Sequence, residues 1–185
     1  TSKDEQVLVK VGVSAVDIAG ARKNVESEIP GWDFEKVRKD ARTAWNEYLS
    51  KIDITTSDKE DKAIFYTALY HTGISPNLFT DADGRYLGMD LEVHQGDTLN
   101  PIYTVFSLWD TFRALHPLMT IIDPDLNNHF INSLIKKHQE GGIYPMWDLA
   151  SNYTGTMIGY HAVPVIVDAY MKGYRNFDAK EAYKA

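Results

Sequence analysis

Residues Tyr103–His116 read YTVFSLWDTFRALH. The β-branched and aromatic residues ahead of Trp109 favour an extended backbone. After it, Phe112, Leu115, Leu118, Met119 and Ile122 recur at spacings of three and four, the buried stripe of a helix. Asp110 is placed to cap that helix, whose first residue would be Thr111, by accepting from its free backbone N–H groups. Pro117 falls inside the run and predicts a kink.

The same stretch carries chemistry. Trp109, Asp110, Thr111 and Arg113 put a flat aromatic face, a carboxylate, a hydroxyl and a guanidinium within five consecutive positions. A polyhydroxylated ligand needs that mixture: an apolar plate for its C–H surface and fixed donors and acceptors for its hydroxyls. Taken alone, a Trp-Asp pair also reads as a packed indole beside a capping carboxylate. The pair recurs, however, at Trp147 and Asp148 in PMWDLASN, about one helical hairpin further on. In a layer of helical hairpins, elements one hairpin apart present the same end to the same side, so both pairs would open on one mouth.

Composition narrows the classes. The 185 residues are 44% hydrophobic and 24% charged, ordinary globular material with one domain as the default. With Lys plus Arg at 19 against Asp plus Glu at 26, the net charge is −7 and no basic run stands out, which argues against a nucleic-acid partner. No cysteine is present, so disulfides and thiolate zinc sites are excluded. No apolar run approaches a membrane span, and residues 1–15 lack the layout of a signal peptide.

Val7, Val9, Val11 and Val13 alternate with other residues at the period of a strand that must pair with something larger. Helical patterns follow from Asp33, from Ser57 with Glu60 as a capping box, from Asp123-Pro124 to Gly141-Gly142, across Met157–Met171 with Pro164 inside, and from Asp178. Between them, residues 77–100 form a long irregular insert. Asp81, Asp83 and Gly84 there resemble a calcium loop, but the flanking helices and the required glycine position are missing, so a tight Asp-Gly turn is the better reading. Arg85, Tyr86, Asp90 and His94 are candidates for a pocket rim, because a loop of that length is more often functional than idle. His71 and His161 read as hydrogen-bonded core or rim histidines, and no histidines stand at the spacing of a metal helix.

Three blocks resemble one family. YTALYHTGISPNLFTDADGRYLGMD, YTVFSLWDTFRALHPLMTIIDP and GGIYPMWDLASNYTGTMIGYHAVPVIVDAYMKG are similar to consecutive blocks of glycoside hydrolase family 92, the bacterial calcium-dependent, inverting, exo-acting α-mannosidases. The resemblance runs from Val7 to the chain's last residue. It implies a mainly α fold, part of an (α/α)6 barrel of helical hairpins preceded by one strand left over from a β-sandwich domain. Residues 1–32 would be the end of that sandwich and a linker, and 33–185 the first half of the barrel.

It further implies that Trp109 and Asp110 belong to the wall that grips a terminal mannose of a glycan, and that Trp147, Asp148 and Asn152 lie close to the same pocket; Arg113 joins these candidate sugar-binding residues from its place in the Trp109–Arg113 cluster. The family's acid, base and calcium site fall beyond residue 185, so this stretch would hold no calcium, need the missing half of the barrel as its partner, and be inactive alone. The resemblance also implies a periplasmic or extracellular protein with α-1,2 preference. The alternatives are another (α/α)6 glycosidase or phosphorylase, and a non-catalytic helical carbohydrate-binding scaffold.

Overall fold

Aspartates set the starts of several helices in this chain. In the computed structural model, which describes residues 6–97 and 99–184, α1 (Ile18–Glu28) begins behind Asp17, whose carboxylate accepts from Gly20 N–H. In the same way Asp33 caps α2 (Phe34–Leu49). Asp58, not Ser57, caps α3 (Lys59–Thr72). The shift by one residue follows from charge, since a carboxylate meets the partial positive end of a helix better than a hydroxyl does.

Beyond α3 the insert is ordered by short antiparallel ladders. β1 (Asn77–Leu78) pairs with β4 (Tyr103–Thr104), and β2 (Arg85–Leu87) pairs with β3 (Val93–Gln95). β5 (Phe106–Ser107) pairs with β6 (Trp147–Leu149), which pairs with β7 (Asn152–Tyr153). Between Thr104 and Phe106 the extended run is broken at Val105, held at φ 66°. A β-branched residue is strained there, and the break lets one continuous stretch serve two sheets.

The helical layer is α4 (Leu108–Thr111), α5 (Leu115–Ile122), α6 (Pro124–Gly141), α7 (Ala162–Met171) and α8 (Ala179–Tyr183). Asp123 caps α6, and Gly142, at φ 79°, closes it in the left-handed conformation that favours glycine. α5, α6 and α7 pack against one another. Met119, Phe130, Leu134, Val165 and Ala169 fill the space between them, with Phe106 and Leu108 inserted from the strand-to-helix segment. Each fully buried Leu, Phe or Met there contributes about 1.5–3 kcal/mol of transfer free energy.

Several expectations are corrected. Residues 7–13 form no strand: the four alternating valines are exposed, because the period-two pattern makes a strand only when a neighbour takes up its ladder. Pro117 does not kink a helix, since it sits in the first turn of α5, where no intrahelical N–H is lost. The last long helix starts at Ala162 rather than Met157; Gly155, Met157 and Gly159 all have positive φ and turn the chain before it.

The Asp-Gly turn is present and is a clamp. Asp81 accepts from Ser14 Oγ at 2.6 Å and from Asn24 Nδ2 at 2.7 Å, which ties α1 to the turn. Asp83 is bound by Lys23 and Arg85, and the Lys23 ammonium holds its carboxyl down at about 2. Gly20 is where α1 touches Asp81: a Cβ there would lie 2.3 Å from Asp81 Oδ2 and 2.8 Å from Ser14 Oγ. Gly20→Ala therefore forces apart a hydrogen-bonded contact, and a loss of about 1–3 kcal/mol is expected in chemical denaturation; unchanged stability would mean that α1 sits loosely.

His116 on α5 is 2% exposed, lies 6.4 Å centroid to centroid from Phe106, and has no hydrogen-bond partner at either ring nitrogen. Burial pushes its pKa from 6.5 down to about 4. The folded state thus favours neutral His116: its contribution is fully present above pH 6.5 and is lost as pH falls toward 4, on the order of 3 kcal/mol in all. His116→Leu should flatten the stability-against-pH curve over that window relative to wild type. Parallel curves for the two proteins would show that His116 does not titrate with unfolding.

Candidate functional site

Ser107 joins the two Trp-Asp segments. It is the last residue of β5, the register partner of Trp147 on β6, and the residue immediately before α4. Trp147 Nε1–H donates to Ser107 Oγ at 2.7 Å. The Ser107 hydroxyl in turn donates to Asp110 Oδ2, and Thr111 Oγ1 donates to Ser107 O at 3.0 Å. An indole, a hydroxyl and a carboxylate thus form one run of hydrogen bonds in which each donor orients the next acceptor.

This geometry corrects the role of Asp110. The helix begins at Leu108, so Asp110 is the third residue of α4 and bends back onto Ser107 instead of capping a helix at Thr111. Ser107-Leu108-Trp109-Asp110 has the Ser-x-x-Asp form of a capping box, a signal in the sequence that identifies Ser107. The consequence is exposure. Trp109 is 42% exposed, and Asp110 and Arg113 are exposed beside it. Arg113 lies with its guanidinium carbon 5.2 Å from the Phe112 ring centre, and Phe112 stacks on His161 at 4.1 Å.

The second Trp-Asp pair enters a strand, not a helix. Successive side chains of a strand point to opposite faces, so Trp147 and Asp148 part company. Trp147 is half-buried and reaches Ser107, whereas Asp148 is 0% exposed. Asp148 does not present its carboxylate to a ligand. Its Oδ1 lies 2.9 Å from Lys137 Nζ, and its Oδ2 accepts from Thr104 Oγ1 at 2.9 Å. Asn152, at the start of β7, is exposed on the neighbouring strand.

Of the rim candidates, Arg85 is spent on Asp17 and Asp83, and buried Tyr86 donates to Glu140 at 2.6 Å. Burial, reinforced by Glu140, raises the Tyr86 phenol well above its ordinary value. Asp90 and His94 stay half-exposed as a pair at 3.0 Å. A hollow of the surface lies elsewhere. An apolar groove of about 640 Å³ runs between α7 and α8, lined by Tyr144, Val167, Tyr170, Phe177 and Tyr183 among others. Among the described residues no three His, Asp or Glu side chains converge to hold a metal.

Residues 20–185 match the model of the glycosyl hydrolase family 92 catalytic domain. The chain belongs to glycosyl hydrolase family 92. A family 92 α-mannosidase of Bacteroides thetaiotaomicron superposes with a TM-score of 0.87 at 37% identity, over 92% of this chain and 23% of that one. The same enzyme has also been solved in complex with mannoimidazole. A family 92 inverting mannosidase of that organism gives a TM-score of 0.86 at 33% identity, over 93% of this chain and 23% of its own. A protein of Arthroderma benhamiae, described as an uncharacterized secreted glycosidase, is 38% identical over 106 residues, 49% of this chain and 14% of that protein. The chain therefore spans about a quarter of the solved family members.

Within this family 92 chain, Ser107→Ala removes both hydrogen bonds that join Trp147 to Asp110. Faster solvent exchange of the Trp147 indole proton is expected by NMR, with about 1 kcal/mol lost in stability. An indole proton that exchanges as in wild type would show that Ser107 does not hold the ring.

Proposed function

We propose that this chain contributes the sugar-gripping wall of an inverting α-mannosidase that removes terminal α-1,2-linked mannose from glycans. One observation carries the reading: the Trp147–Ser107–Asp110 run fixes Asp110 in the open, next in the chain to the exposed Trp109. A pyranose ring laid on that indole would bring its hydroxyls within reach of an oriented acceptor. Arg113 would supply donors on one side, and Trp147 and Asn152 would close the other. The mannoimidazole complex of the Bacteroides relative supports mannose as the sugar, and the inverting mannosidase supports the stereochemical course.

Inverting hydrolysis needs an acid and a base about 6.5–9.5 Å apart with a water between them. We assign that pair, and the calcium ion, to residues outside this chain. Asp81 and Asp83, the one place with the look of a calcium loop, are already engaged by Ser14, Asn24, Lys23 and Arg85. Residues 1–32 are assigned to the end of a β-sandwich and a linker, and 33–185 to the first half of an (α/α)6 barrel. The apolar groove between α7 and α8 is then the face on which further barrel hairpins pack. A periplasmic or extracellular location is assigned, supported by the secreted relative; no described helix is long and apolar enough to cross a membrane.

Asp110→Asn, made in the full natural reading frame, keeps the side chain's shape and removes its charge. A fall of roughly 10- to 100-fold in kcat/KM on α-1,2-linked mannobiose is expected, with the melting temperature little changed. Undiminished activity would remove Asp110 from the sugar site.

A further inference from the structure

One ion pair behind the Trp147–Ser107–Asp110 run is closed to solvent. Lys137, on α6, is 2% exposed and Asp148, on β6, is 0% exposed. Their 2.9 Å contact is a charge pair without an aligned hydrogen bond. The other carboxylate oxygen of Asp148 accepts from Thr104 Oγ1 at 2.9 Å, and the same hydroxyl oxygen accepts from Ala150 N–H at 2.7 Å. Ala150 and Ser151 make the β6–β7 turn with φ of 46° and 65°, a conformation that non-glycine residues adopt only when their surroundings hold them there. Ser151, itself buried, adds a hydrogen bond to Leu87 O from the other side of the turn.

These contacts form a path from the core to the wall: Lys137 to Asp148, Asp148 to Thr104, Thr104 to the strained turn, and along β6 from Asp148 to its neighbour Trp147. Trp147 then orients Ser107, which orients Asp110. We propose that Lys137, with Asp148 and Thr104, is a positioning residue for the sugar-binding face: it sets the height and tilt of β6, and so where the Trp147 indole and the Asp110 carboxylate stand. The functional half of this statement rests on the mannosidase reading above; the structural half does not.

A lone Lys137→Met would strand a buried carboxylate and test only folding. The informative variants are Lys137→Met/Asp148→Leu, which replaces the pair by apolar groups and is often tolerated for stability, and Thr104→Val, which keeps shape and removes the linking hydroxyl. In the 185-residue chain, both should speed solvent exchange of the Trp147 indole proton. In the full natural reading frame, both should cut kcat/KM per folded molecule on α-1,2-linked mannobiose roughly 10- to 100-fold; the double variant should melt near wild type, and Thr104→Val, which takes from Asp148 its hydrogen bond, should also lower stability moderately. A purely structural pair would lower the melting temperature and leave kcat/KM per folded molecule alone.

Variants that fold with wild-type indole exchange, or with wild-type kcat/KM, overturn the proposal. If the double variant does not fold, Thr104→Val decides by the same readouts. A wild-type protein inactive on α-mannosides would sink the mannosidase reading, and the indole measurement would still judge the positioning role.

Discussion

The pairing of Phe106 and Ser107 with Asp148 and Trp147 is the constraint on which the rest of this structure depends. Two-residue strands are too short to hold together by backbone hydrogen bonds alone. This pair is fixed because what flanks it is fixed: Phe106 is sunk among Met119, Phe130 and Leu134, and Asp148 is locked to Lys137. Through the pairing, the segment entering α4 and the segment leaving α6 become neighbours. Without it Trp147 would have no reason to meet Ser107, and Asp110 would be one more mobile surface carboxylate.

The helices serve as a platform. α5, α6 and α7 enclose the core, and the short strands rise from it carrying the polar and aromatic groups. Precision is therefore inherited from the packed layer rather than generated in the loops. Around this ladder, backbone strain falls on Val105 at one edge and on Ala150 and Ser151 at the other, places where the chain changes direction to bring side chains together. Membership of family 92, and superposition on mannosidase structures of about four times this length, fit a stretch that is one part of a larger fold.

Local features were legible in the sequence. Asp33, Asp123 and Asp178 each cap the helix expected behind them, because a cap is written in a few adjacent residues. The Asp81–Gly84 turn was legible for the same reason, as was the extended run before Trp109. Pairing was not. Val7–Val13 has a strand's alternation without a neighbouring strand, whereas Trp147–Leu149, beside a helical pattern, became a strand because Phe106–Ser107, forty residues away, offered an edge. From that single error followed the misplacement of Asp148: a Trp-Asp pair entering a helix presents both side chains near one end, and the same pair in a strand sends them to opposite faces. Ser107 has a local signal in its Ser-x-x-Asp spacing, but that spacing predicts only a helix start; its contact with Trp147 depends on the β5–β6 pairing forty residues apart.

The Lys137–Asp148 contact also constrains how this protein can change over generations. Either partner alone, left in the core, is an uncompensated charge. A lineage cannot drift through single replacements at these positions; it must exchange both together or cross a poorly folded intermediate. The two sites are therefore bound in inheritance as well as in space.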